Sequence, residues 1–137
     1  MSKGNTTEND VIKLVFIGTD PSWRAGSNLY LSLHTADPGE AGDQTTSECA
    51  YTSYDRVLVA KGAGQWTVSG NNVVNVADIV FPECTGSSET ATHWAVGTAD
   101  LPSAGQILYK GALDETLAIS NNIEPRITAG TLSISED

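Results

Sequence analysis

The sequence predicts a mainly β fold, an antiparallel β-sandwich or open barrel of about ten short strands with one short N-terminal helix. Three observations predict it. The apolar residues repeat with a helical period near the N-terminus and with a period of two from Asn28 onward. Past Arg56 the chain breaks into short runs rich in β-branched residues, divided by Gly, Pro, Asn and Ser. A chain of 137 residues with 39% apolar side chains is also long enough for one core, so residues 1–137 are read as a single β-rich domain.

Residues 1–10 are polar and are read as an extended N-terminal arm. Thr6 or Thr7, followed by Glu8, Asn9 and Asp10, resembles a capping box ahead of Val11, Leu14 and Val15. The spacing predicts a helix from about Glu8 to Ile17, stopped by Gly18 and turned away at Asp20-Pro21. From Asn28, Leu29, Leu31 and Leu33 point to one face and Tyr30, Ser32 and His34 to the other, as in a half-buried strand. Asp37 to Cys49 is a long polar loop without apolar periodicity, of a length often given over to function.

Beyond the loop, strands are expected at Arg56–Ala60, Gln65–Val68, Val73–Val76 and Asp78–Phe81. Ser69-Gly70-Asn71-Asn72 signals a hairpin between the second and third of these. Further strands are expected at Thr92–Thr98, Gln106–Tyr109, Leu113–Ile119, Ile123–Ile127 and Thr131–Ser135. The sequence holds no internal repeat and no low-complexity tract.

Seven basic against seventeen acidic side chains give a net charge of −10, a field that repels phosphate backbones and anionic lipid. Direct binding to nucleic acid or membrane is therefore not expected. The N-terminal residues lack the apolar run of a secretory signal, so synthesis and retention in a cytosol are expected unless a larger assembly carries the chain out. Cys49 and Cys84 fit neither a Cys-x-x-Cys pair nor a zinc knuckle. Two readings stay open for them: free thiols, or a disulfide within or between subunits formed in an oxidising medium.

The remaining chemistry-bearing residues favour structural roles. His34, Asp37, Glu40 and Asp43 lie close together, but their spacing lacks the alternating oxygens and closing Glu of a calcium loop. There is no Gly-x-Ser-x-Gly elbow, and His34 and His93 stand in predicted strands without a recognisable triad context. Lys61-Gly62-Ala63-Gly64 lacks the rest of a phosphate loop and reads as a turn. Trp66, Trp94 and Tyr109 carry flat rings that could stack on a sugar, but alternation places them equally well in a core or a subunit contact, and these are the readings preferred. No catalytic residue, metal or cofactor is expected.

The run Leu29-Tyr30-Leu31-Ser32-Leu33-His34-Thr35-Ala36-Asp37-Pro38-Gly39-Glu40 resembles a family of small structural proteins of tailed-phage particles, often labelled tail-fibre proteins. Glu48–Val57, Trp66–Asn71, Ile79–Pro82, Ala91–Thr98 and Leu108–Leu113 agree with it, and the resemblance runs from about Glu8 to Asp137. Cys49 and Cys84 stand where relatives look to carry small or polar residues. The resemblance implies a virion component without catalytic residues, made in the host bacterial cytoplasm. The placement expected first is a capsid decoration or cement protein on the outer capsid, a homotrimer bound to the major capsid protein and to copies of itself. A tail-fibre or receptor-binding component is the alternative, and a neck or tail-completion protein is a further one. On the expected first placement, Thr6, Thr7 and Glu8 of the arm and Asp37, Glu40 and Asp43 of the loop are the candidate partner contacts, since a polar arm can order on a partner.

Overall fold

The computed structural model describes residues 1–136. It is mainly β, with ten strands in antiparallel sheets, in agreement with the fold class predicted from the sequence. The chain runs β1 (Ser2–Lys3), α1 (Asn5–Ile17), α2 (Ser22–Ala25), β2 (Asn28–His34), β3 (Val57–Ala60), β4 (Trp66–Ser69) and β5 (Asn72–Asn75). It continues through β6 (Ile79–Val80), β7 (Glu89–Gly97), β8 (Ile107–Ile119), β9 (Arg126–Ile127) and β10 (Ser133–Ser135). Five strands form the main sheet in the order β1-β8-β7-β2-β3, three form a second in the order β10-β5-β4, and β6 pairs with β9.

The core lies between these layers. Leu31 and Leu33 of β2 stand opposite Val96 and Trp94 of β7, and all four join Phe81, Ile79, Ile127, Leu132 and Ile134 in one buried cluster. Phe81, Leu31 and Leu33 are fully buried, each worth about 1.5–3 kcal/mol relative to exposure. Opposite Trp94 stands Gly111, where a Cβ would fall 2.6 Å from the indole ring, so only glycine lets β8 pass over it.

The extended arm expected over residues 1–10 is replaced by regular structure. Ser2 and Lys3 pair with Lys110 and Tyr109 of β8, and the helix begins at Asn5. The expected capping box is also absent, since the cap is Gly4 without a side-chain bond. Gly4 is there because the helix start presses onto β8, where a Cβ would meet the Ile107 carbonyl at 2.6 Å. The Thr7 hydroxyl donates to that same carbonyl, at 2.7 Å, instead of capping. Gly18 does end α1, in the left-handed conformation at φ 66°, and Thr19 N–H closes back on the Lys13 carbonyl at 3.2 Å.

β2 departs from a half-buried strand, because Ser32 and His34 are as fully buried as Leu31 and Leu33. The covering layer is the long loop. Gln44, fully buried, donates from Nε2 to the Tyr30 carbonyl at 3.0 Å and to Ser32 Oγ at 3.3 Å. The two runs expected at Gln106–Tyr109 and Leu113–Ile119 are one strand, β8, interrupted where Thr92 faces the four residues Leu113 to Thr116 as a wide bulge. Ser69 and Asn72 pair across the expected β4–β5 hairpin, with Gly70 left-handed at φ 61°. α2 is a single extra turn that the sequence did not announce.

Candidate functional site

Two surfaces hold the sequence-predicted partner contacts, and they differ in kind. The first is α1. Thr7, Asp10, Val11 and Leu14 are its buried or half-buried residues, and every other residue from Asn5 to Ile17 is exposed. Asp10 fixes the inner side by accepting from Trp23 Nε1 and Gln106 Nε2, both at 3.0 Å. Successive residues step about 100° around a helix, so Ile12, Val15 and Phe16 share the outward side, opposite Thr7 and Leu14. They are 58%, 66% and 78% exposed, and Ile17 at the end is 70% exposed. The second half of α1, Val11 to Ile17, is apolar at every position but Lys13, and such a segment is normally enclosed; here its outer side meets solvent.

The second surface is the loop between β2 and β3, and it is pinned at several points. His34 is fully buried and neutral, its Nδ1–H donating to the Thr46 carbonyl at 2.8 Å and its Nε2 accepting from Ser32 Oγ at 2.9 Å. Burial lowers its pKa, the Thr46 contact opposing only in part. Asp37 accepts from Gly39 N–H at 2.8 Å and pairs with Lys110 at 2.9 Å, which together hold its carboxyl below the usual range. Asp43 accepts from the Thr45 hydroxyl at 2.5 Å and the Thr45 N–H at 2.8 Å, and its pKa is lowered likewise.

Where the loop returns to the sheet, Arg56 grips Glu48 with both prongs, Nε to Oε1 at 2.7 Å and Nη2 to Oε2 at 2.8 Å. Its Nη1 donates to the carbonyls of Ala99 and Ser103 at 2.8 and 2.7 Å. Tyr54 adds its hydroxyl to Glu48 at 2.8 Å and accepts from Leu33 N–H at 3.1 Å. The pair is buried, so the loop is a built part of the fold.

The predicted contacts therefore separate. Thr6 and Glu8 are exposed on α1, whereas Thr7 is 3% exposed and has no face to offer a partner. Glu40 is exposed, and its backbone carbonyl accepts from Asn5 N–H at 2.8 Å, tying loop to helix. Thr6, Glu40 and Asp43 line one shallow cleft beside Gly105 and Ile107. Asp37 is exposed and lies outside that lining. Cys49 and Cys84 are both free and both buried. Burial and the nearby Glu89 and Glu48 carboxylates push the Cys49 thiol up to about 12, and the Cys84 thiol donates to the Gly86 carbonyl at 2.9 Å. At 2% and 0% exposure neither sulfur reaches the surface that an inter-subunit disulfide requires.

The aromatic platform is not assembled. Trp94 is 5% exposed with its indole N–H on the Ala112 carbonyl, Trp66 is half-buried against the Ala60 carbonyl, and the Tyr109 hydroxyl is bound to Glu136. His34 has both ring nitrogens engaged, and no group of three metal-ligating side chains forms among the described residues. No helix among them is long and apolar enough to cross a membrane.

The residues that sequence reasoning missed are Ile12 and Phe16, with Lys13 between them. Their signal is the segment Val-Ile-Lys-Leu-Val-Phe-Ile, Val11 to Ile17, apolar at every position but one. One sheet face covers one side of such a helix, and the surplus marks a contact.

Among curated proteins none matches the chain. A family described as podophage GP4 fiber I protein gp80 matches residues 2–135.

Proposed function

The chain belongs to the podophage GP4 fiber I protein gp80 family, a phage virion structural family, and we propose that it is a fibre-type structural subunit of the phage particle, without catalytic activity. The observation that carries this reading is the outer side of α1. An exposed face of Ile12, Val15 and Phe16 on an otherwise well-packed β body is an assembly surface. The fibre placement draws its support from the family description.

A capsid decoration role is the second reading, in which the protein clamps capsid subunits and adds buried contact area to the shell. The compact, unrepeated body and the acidic balance of −10 favour it, since long fibres are built from repeats. Cryo-electron microscopy of intact virions separates the two. Density for this fold at the tail, in few copies, is the expected result. Density at capsid threefold positions in many copies would overturn the fibre reading and install the decoration one. Absence of the chain from purified particles would remove both.

A further inference from the structure

We propose that α1 is a self-assembly element: three copies associate through their α1 helices, packed in parallel around a common axis, with Ile12 and Phe16 on that axis. The occupant of the outer face is thus a second and third copy of this chain. The proposal stands whether the particle carries the protein on its tail or on its shell.

The pattern of exposure carries the first part. In a parallel bundle two positions of each seven-residue repeat point at the axis, two flank it, and the remaining three point away. With Asn5, Asn9, Ile12 and Phe16 on the axis, the flanks are Thr6, Glu8, Lys13 and Val15. All eight are exposed. Thr7, Asp10, Val11, Leu14 and Ile17 then point away from the axis; the first four are the buried or half-buried residues of α1, with Thr7 bonded to the Ile107 carbonyl of β8 and Asp10 to Trp23 and Gln106, and Ile17 lies exposed at the helix end. One helix therefore has one face for its own domain and a complementary one for its neighbours.

Charge carries the second part and fixes the direction. In parallel helices a flanking residue meets the opposite flank of the neighbour five positions on, which brings Glu8 of one copy to Lys13 of the next. Six of the seven basic residues are already bound within the chain: Lys3 to Glu136, Arg24 to Asp20, Arg56 to Glu48, Lys110 to Asp37, Arg126 to Asp78 and Glu124, and Lys61 to the Trp23 carbonyl. Among the described residues Lys13 is the one basic side chain left without a partner, and Glu8 has none either. In antiparallel helices each flank would instead face the same flank of its neighbour, so Glu8 and Lys13, which lie on opposite flanks, would not meet.

Composition bears on the number. Two-stranded bundles take leucine at the second axial position, where this helix has Ile12. Asn9 on the axis, one turn before Ile12, fixes register by demanding a polar partner at the same level. A stable interface takes about 800 Å² per partner, of which a buried Phe supplies roughly 150–250 Å². The helices therefore supply the apolar centre, and the flanking Thr6, Glu8 and Lys13 begin the polar rim.

The test uses the full chain in solution, its mass followed by light scattering and sedimentation equilibrium. The expected result is a species of three times the chain mass. Phe16→Glu should return it to monomer, with an unchanged circular-dichroism spectrum because residue 16 is exposed. At low salt, Glu8→Lys and Lys13→Glu should each lower the trimer association constant by at least about tenfold, since three ion pairs become three repulsions, and the double exchange should restore it. In Asn9→Cys, a short bis-maleimide should join chains through residue 9, the two native thiols being buried. A monomer at every concentration up to about 1 mM, a trimer indifferent to Phe16→Glu, or a double exchange no better than the single ones would each overturn the proposal.

Discussion

Replacing Arg56 with Ala should destabilise the protein by about 3–5 kcal/mol, the cost of stranding a buried carboxylate. The Arg56 side chain is wholly buried and that of Glu48 is 7% exposed, so solvent cannot take over the lost contacts. The substitution removes both charge-assisted bonds to Glu48 and the donors to Ala99 and Ser103. Glu48 would keep only the Tyr54 hydroxyl. Four segments meet at this one guanidinium: the end of the long loop, the entry to β3, the β7–β8 connection and, through Tyr54, β2. Total stability for a domain is about 5–15 kcal/mol, so the loss is a large share of it. Urea unfolding followed by tryptophan fluorescence measures it; with a slope near 2 kcal/mol per molar, the midpoint should fall by about 2 M. The double variant Glu48→Gln with Arg56→Met removes both charges and should lose clearly less. A single-variant loss below about 1 kcal/mol, or a double variant worse than the single, would refute the claim that an unpaired buried charge is what the pair prevents.

Two further outcomes follow from groups in the same region. His34 has a folded pKa below its unfolded value of about 6.5, so below that pH the unfolded chain binds the extra proton. Its contribution is present above pH 6.5 and lost as pH falls, by at most about 1.4 kcal/mol per pH unit. Urea midpoints at pH 7.5, 6.5 and 5.5 should decline more steeply for the native chain than for His34→Gln, and parallel declines would contradict this; the lowered Asp37 and Asp43 carboxyls act only below about pH 4, outside that window. Cys49 and Cys84 should show no reaction with a thiol-specific disulfide reagent in the folded protein and two equivalents in denaturant. A fast-reacting thiol in the native state would mean that the sheet packing over Cys49 opens readily.

The strands were legible because period-two patterning and turn residues are local signals. Leu31 and Leu33 face the core as their alternation requires, and Gly70 turns the chain where the hairpin was expected. What the pattern could not tell was how many layers cover a strand. Ser32 and His34 are polar, which reads as solvent-facing, yet a loop ten residues further on brings Gln44 and the Thr46 carbonyl to meet them. Polar residues are buried where their partners arrive from elsewhere, and no window along one strand contains those partners. The break expected between Tyr109 and Leu113 failed for a related reason, since Gly111 marks the passage of β8 over Trp94 rather than a turn. At the N-terminus, polar residues read as an unstructured arm because β1 is only two residues long and owes its order to Tyr109 and Lys110. The site was half legible: Thr6, Glu8 and Glu40 are exposed and Thr7 is not, but Ile12 and Phe16, the exposed apolar residues of α1, were not singled out.

The distribution of positive charge connects the fold to its contacts. Four of the seven basic side chains hold the chain's own excursions: Lys3 ties the N-terminus to Glu136, Lys110 and Arg56 tie down the two ends of the long loop, and Lys61 ties the end of β3 to the α2 turn. With these four, and with Arg24 and Arg126 in surface pairs, six cations are matched within the chain, and the outer surface keeps an excess of acids. A partner docking on that surface must bring positive charge, and its binding weakens as salt screens the pair beyond about 10 Å at 0.1 M. Contact through Ile12, Val15 and Phe16 obeys the opposite rule, because apolar burial persists in salt that screens the repulsion between acidic copies. A particle component of this charge is thus best joined through its one apolar helix face, with acidic surface left facing outward.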